Sequence, residues 1–156
     1  MAVKLNGFRL DPRIEALMSR DDWSGRRVHP KWFEKFRQPQ NCHSVNFVEL
    51  LSLEQARYEN RNIRLNRYLN LIGAGTPINN GFYGLPNPKS PPGDFDCWKG
   101  YLIGFTDYVD SGIFVDLRFD DPKIIYDSGG IQPNYSVAFD SINEFVDFCK
   151  QHLHIH

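Results

Sequence analysis

The sequence predicts an α+β fold, a central antiparallel sheet flanked by helices, and three observations predict it. Short β-rich runs follow one another between residues 101 and 139, with turn residues between them. Apolar residues at helical spacing lie before and after that region, behind capping residues. Strand and helix do not alternate in the regular way that builds a parallel sheet.

Asp11-Pro12 opens the first helix, because Asp is a favoured N-cap, Pro suits the first helical position, and Ile14, Leu17 and Met18 fall at helical spacing. A second helix starts at Pro30, where Trp32, Phe33 and Phe36 make an aromatic face suited to a core. Phe47 to Leu51 reads as a short strand, and Ser52 to Gln55 matches the capping box that opens a helix through Tyr58 or beyond. Residues 73–94 are dense in Gly, Pro and Asn and form a long irregular segment. Gly73-x-Gly75 within it lacks both the third glycine and the Gly-Lys-Ser/Thr of nucleotide-binding loops, so turn chemistry accounts for it.

Tyr101 to Phe105 is the next strand and TDYVDSG a turn. Ile113, Val115, Leu117 and Phe119 then share one parity, and Phe114, Asp116, Arg118 and Asp120 the other, as a strand with one buried face requires. Asp121-Pro122 supplies a turn, and Ile124-Ile125-Tyr126 returns as the second arm of a hairpin. Val137-Ala138-Phe139 leads into Ser141 to Glu144, another capping box, and a closing amphipathic helix carries Ile142, Phe145, Val146, Cys149 and Leu153 at helical spacing.

With 156 residues, 41% of them hydrophobic and 14% aromatic, the chain is expected to form one domain over 1–156 with a substantial core. No run approaches the roughly 18 apolar residues of a membrane span, and the opening residues MAVKLNGFRLDPR lack a signal-peptide core, so a soluble cytoplasmic protein is expected. Cys42, Cys97 and Cys149 are odd in number and outside any Cys-x-x-Cys spacing, which reads as reduced packing thiols.

The net charge of −1 conceals an asymmetry: residues 1–70 hold 13 Lys/Arg against 8 Asp/Glu, and residues 71–156 hold 5 against 11. In the first half the arginines are dispersed among Glu15, Glu34, Glu49, Glu54 and Glu59, so direct nucleic-acid binding is not expected. In the second half eight acidic residues lie between Asp94 and Asp127, against Lys99, Arg118 and Lys123, a concentration that would attract a basic partner.

Four aspartates between Gly112 and Gly130 raise the question of a metal or catalytic site. On an extended strand Asp116 and Asp120 would lie about 13 Å apart, too far to share an ion bound at about 2 to 2.6 Å. Asp116 is better placed to pair with Arg118, and the group reads as solvated or ion-paired carboxylates around a turn. The five histidines are poorly placed for acid–base work: His29 and His43 lie in the first third, and His152, His154 and His156 in the terminal HLHIH. Cys42 and Ser44 flank His43, but neighbours on an extended chain point apart. Neither Gly-x-Ser-x-Gly nor His-Glu-x-x-His occurs, so no catalytic residue, metal or cofactor is expected.

The C-terminal third, GFTDYVDSGIFVDLRFDDPKIIYD and then VAFDSINEFVDFCKQHL, resembles the SUKH superfamily of Smi/Knr-like proteins. Asp116, Arg118, Pro122, Ile125, Tyr126 and Phe145 carry the match, FVELLSLEQA resembles the family's strand and leading helix, and Trp32 and Phe33 its N-terminal aromatic pair, over about residues 30–150. The resemblance implies a central antiparallel sheet with flanking helices. It also implies a non-catalytic binding role, as an immunity protein that neutralises a polymorphic toxin or, alternatively, as a regulatory scaffold with a cellular partner. The surface expected to meet a basic protein partner comprises Asp107, Asp110, Asp116, Asp120 and Asp121, with the aromatics Tyr83, Phe95, Trp98 and Tyr108 excluding water. No membrane contact is expected, and the oligomeric state is left open.

Overall fold

The computed structural model describes residues 4–5, 8–23, 27–28, 48–69, 91–93, 95, 99–106, 112–127 and 135–153. They form a two-stranded hairpin of β1 (Lys4–Leu5) and β2 (Phe8–Arg9), then α1 (Pro12–Met18), β3 (Arg27–Val28), β4 (Val48–Leu50) and α2 (Leu53–Leu69). Four more strands follow, β5 (Gly100–Thr106), β6 (Gly112–Asp116), β7 (Ile124–Asp127) and β8 (Tyr135–Phe139), and α3 (Ile142–Leu153) closes the fold. The strands β3 to β8 pair in sequence order as one six-stranded antiparallel sheet, so the molecule is of the α+β class.

Each helix starts where its capping chemistry places it. The Asp11 carboxylate accepts the Arg13 backbone N–H at 2.9 Å, Pro12 follows, and Ile14, Leu17 and Met18 turn into the core. At α2, Ser52 Oγ accepts the Gln55 N–H at 3.0 Å. At α3, Ser141 Oγ accepts the Glu144 N–H at 3.2 Å, while the Glu144 carboxylate reaches back to the N–H of Asp140 rather than to that of Ser141. The second-helix segment from Pro30, with Trp32, Phe33 and Phe36, lies outside the described residues, as does most of 73–94.

Two strand expectations are corrected. β6 is buried along its whole length, not on one face. Cross-strand partners share a face, so Val115, Ile124 and Phe139 lie together, and the Phe139 ring meets Phe145 of α3, which meets Trp23 edge-on at 6.2 Å. On the opposite face Phe114 meets Phe95 and Tyr135, whose rings pack edge-on to each other at 4.8 Å. With both faces covered, apolar alternation has no solvent side to mark. The strand also ends at Asp116 instead of running to Phe119. Asp116 Oδ1 accepts the Arg118 N–H at 3.1 Å, a local bond that competes with the ladder and turns the chain.

The hairpin β1–β2 and strand β3 were not anticipated. Leu5 pairs with Phe8, which leaves Asn6-Gly7 between them, the dipeptide favoured in two-residue hairpin connections. In the large sheet the register slips at Ile103, between the pairs Leu102↔Phe114 and Gly104↔Ile113. Asn60 of α2 docks there: its Nδ2 donates to the Leu102 carbonyl at 3.1 Å and its Oδ1 accepts the Leu102 N–H at 2.8 Å. A buried side-chain amide thus satisfies both backbone groups of a residue at the bulge and ties α2 to the sheet.

Candidate functional site

The connection between β6 and β7, residues 117–123, is built from its base upward. Asp116 N–H donates to the Lys123 carbonyl at 2.9 Å and closes the base, while Leu117 N–H donates to the Lys99 carbonyl at 3.1 Å and ties it to the start of β5. Leu117 and Pro122 are buried, which pins both limbs. Inside, the Arg118 guanidinium grips Asp116 with two bonds, Nε to Oδ1 at 2.9 Å and Nη2 to Oδ2 at 2.8 Å. The carboxylate side chain is 0% exposed and the arginine 17%. A buried carboxylate needs such a fork, because its desolvation is otherwise uncompensated.

Arg118 is itself held by aromatic faces. Its guanidinium carbon lies 5.4 Å from the centre of the Phe95 ring and 5.1 Å from that of Phe119, within the range of cation–π attraction. Phe95 reaches this position because Gly100 has no side chain: a Cβ there would stand 2.8 Å from the tip of the Phe95 ring. Gly93, at φ 67°, brings its backbone close beside the same guanidinium. The outcome is a rigid base and an exposed tip, in which Phe119 is 44% exposed and Asp120 and Asp121 face solvent.

Neighbouring elements extend the charge around this tip. Arg13 of α1 binds Asp11 through its side chain and donates to Asn143 of α3. Its guanidinium is held above its ordinary range, first by the hydrogen bond to Asp11 and also by the charges of Asp11 and Asp121, which sets Asp121 near the start of α1. Lys123 pairs loosely with Asp140 at 3.4 Å. Asp11 and Asp140 are therefore engaged, whereas Asp120 and Asp121 form no ion pair among the described residues.

Of the residues expected to meet a partner, Asp120 and Asp121 are exposed together at this tip. Asp116 and Phe95 require correction. At 0% and 1% exposure they lie beneath the loop and hold it, because the fork to Arg118 and the packing against Tyr135 draw them inward. Asp107, Asp110, Tyr83, Trp98 and Tyr108 lie outside the described residues. Phe119 is the exposed aromatic that alternation concealed, since its parity assigned it to the core. The signal for it was the Asp116-x-Arg118 spacing, which ends the strand three residues early.

Among the described residues no group of three or more His, Cys, Asp and Glu side chains could hold a metal ion. Burial pushes the Cys149 thiol far up, which removes the thiolate a nucleophile requires. His152 is exposed and lies against the Phe148 ring at 4.2 Å. No helix among the described residues is long and apolar enough to cross a membrane. The fold and loop together define an α+β domain that presents an aromatic and two exposed carboxylates on a braced hairpin. Comparisons with family models, with curated proteins and with solved structures find no match to the chain.

Proposed function

We propose that this chain is a non-catalytic binding protein of the SUKH type, an immunity protein that neutralises a toxin domain by occluding it. The observation that carries this reading is the braced β6–β7 tip. Phe119 offers an aromatic anchor whose conformation is already fixed by Arg118, so little side-chain entropy is lost on docking. Asp120 and Asp121 beside it supply exposed negative charge, which accelerates encounter with a basic cleft such as one that grips nucleic acid. Binding of this kind needs no acid, base or nucleophile. The antiparallel sheet with helices before and after it agrees with the SUKH resemblance.

The test is co-expression with the toxin domain encoded beside this chain, reading growth rescue and, with purified components, the association rate. Wild type is expected to rescue and to bind more slowly as salt rises, since charges are screened beyond about 8 Å at physiological ionic strength. Phe119→Ala is expected to speed dissociation, and Asp120→Lys with Asp121→Lys to slow association. Rescue without direct binding, or rates indifferent to salt and to both variants, would remove this loop from the mechanism. A gene neighbourhood with no secreted toxin would overturn the immunity role in favour of a regulatory scaffold.

A further inference from the structure

Phe119, 44% exposed at the β6–β7 tip, and Phe95, 1% exposed beneath it, share one cation. The Arg118 guanidinium carbon lies 5.1 Å from the centre of the Phe119 ring and 5.4 Å from that of Phe95. Asp116 occupies the Nε and Nη2 edge of the guanidinium, and Gly93 stands at Nη1, where a Cβ would come within 3.2 Å. The place of Arg118 is therefore set by the buried carboxylate, by Phe95 and by Gly93, the last two from well upstream in the sequence.

Phe95 is fixed in turn by the core. Its ring packs edge-on against Tyr135 of β8 at 4.8 Å and against Phe114 of β6 at 6.3 Å, and Gly100 leaves the room that it fills. A contiguous line of contacts thus runs from the sheet through Phe95 and Arg118 to the exposed ring of Phe119. Cation–π attraction requires the cation to stand over the ring, so a guanidinium that relaxes toward space left by Phe95 loosens its hold on Phe119. We infer that Phe95 and Gly93 are positioning residues for the tip, setting the order of Phe119 through Arg118. Where the tip docks on a partner, the same two residues govern how long the complex lasts, because a ring ordered beforehand loses less entropy on binding. That consequence rests on the docking reading above, whereas the coupling itself does not.

Backbone order at Phe119, measured by nitrogen relaxation on the purified full chain, tests the coupling without any partner present. Wild type is expected near the rigid order parameter of about 0.85, and Phe95→Leu, which keeps apolar bulk but removes the ring, to fall toward the flexible value of about 0.6. Gly93→Ala leaves the core untouched, and its Cβ presses on Nη1 from a strained φ of 67°, so a fall in Phe119 order is expected there too. Phe139→Leu is the control, since that ring lies on the opposite face of the sheet against Phe145, and tip order is expected to stay as in wild type. Asp116→Asn with Arg118→Gln removes the cation without stranding a charge, and adding Phe95→Leu to it is expected to change tip order no further. Circular dichroism confirms that each variant is folded. A tip already mobile in wild type, order unchanged in Phe95→Leu or in Gly93→Ala, an equal loss in Phe139→Leu, or an undiminished effect of Phe95→Leu without the cation would overturn the inference. Reduced order with an unchanged dissociation rate from the toxin domain would leave the coupling standing and remove the tip from docking, so the two readings fail separately.

Discussion

Asn60 and Arg118 show how single polar side chains hold this fold. Asn60 is 2% exposed and carries both backbone groups of Leu102, so Asn60→Ala would leave a donor and an acceptor without that partner. At about 1 to 3 kcal/mol per unsatisfied group, a loss of about 2 to 6 kcal/mol is expected, read as a lower urea midpoint with the same slope. Arg118→Ala would strand the Asp116 carboxylate with only the backbone N–H of residue 118 beside it. About 3 kcal/mol is expected, the low end for an orphaned buried charge because that one bond remains. Arg118→Lys is expected to recover part of this, since a lysine keeps the charge but not the two-pronged grip. The Asp116–Arg118 pair was legible in the sequence as a spacing. Its burial was not, because it depends on Phe95 and Gly93, brought in from more than twenty residues upstream.

The helices rest on caps and on one apolar face each. Phe145 is fully buried in α3 and meets the rings of Trp23 and Phe139, so Phe145→Ala is expected to cost about 3 to 5 kcal/mol, read by thermal or urea unfolding. An unchanged melting temperature would show that α3 is not packed as described. At α1 the Asp11 carboxyl is held below its ordinary range, principally by the hydrogen bond from the Arg13 side chain, with burial acting against it. The ionised form is therefore favoured in the folded state. Its contribution is fully present above the ordinary carboxylate value of 3.8 and is lost as pH falls through the lower folded value. Asp11→Asn is expected to flatten that part of the acid limb in a plot of urea midpoint against pH; an unchanged limb would mean that other groups govern it.

Across the molecule, protection should follow the order of the sheet. β6 is buried throughout and flanked on both sides, while β3 and β8 are its edges. Native-state hydrogen exchange is expected to be slowest in β6 and in the facing residues of β5 and β7, and faster in β3, whose two residues pair with β4 alone. Uniform exchange across the six strands would contradict a core centred on β6. The charge division acts at the same scale. It divides the sequence and not the space, because β4 of the basic half pairs with β5 of the acidic half and Arg13 of α1 donates to Asn143 of α3 and feels the charge of Asp121.

The sequence alone determined the α+β class, the starts of α1, α2 and α3, the strands at 101–105 and 124–126 and the direction of the charge asymmetry, because each is written in neighbouring residues. A cap needs its partner three positions on, and a period needs only a few turns to declare itself. Tertiary structure decided the rest. Whether β6 buries one face or two depends on Phe95 and α3, which lie far from it in sequence. Whether Asp116 meets solvent depends on what covers Arg118. Phe119 was assigned inward by parity and faces outward because a side-chain bond to the backbone ended the strand three residues before it. Local spacing records which bonds the chain can make with itself nearby, whereas exposure is set by the surfaces that distant segments bring to cover it.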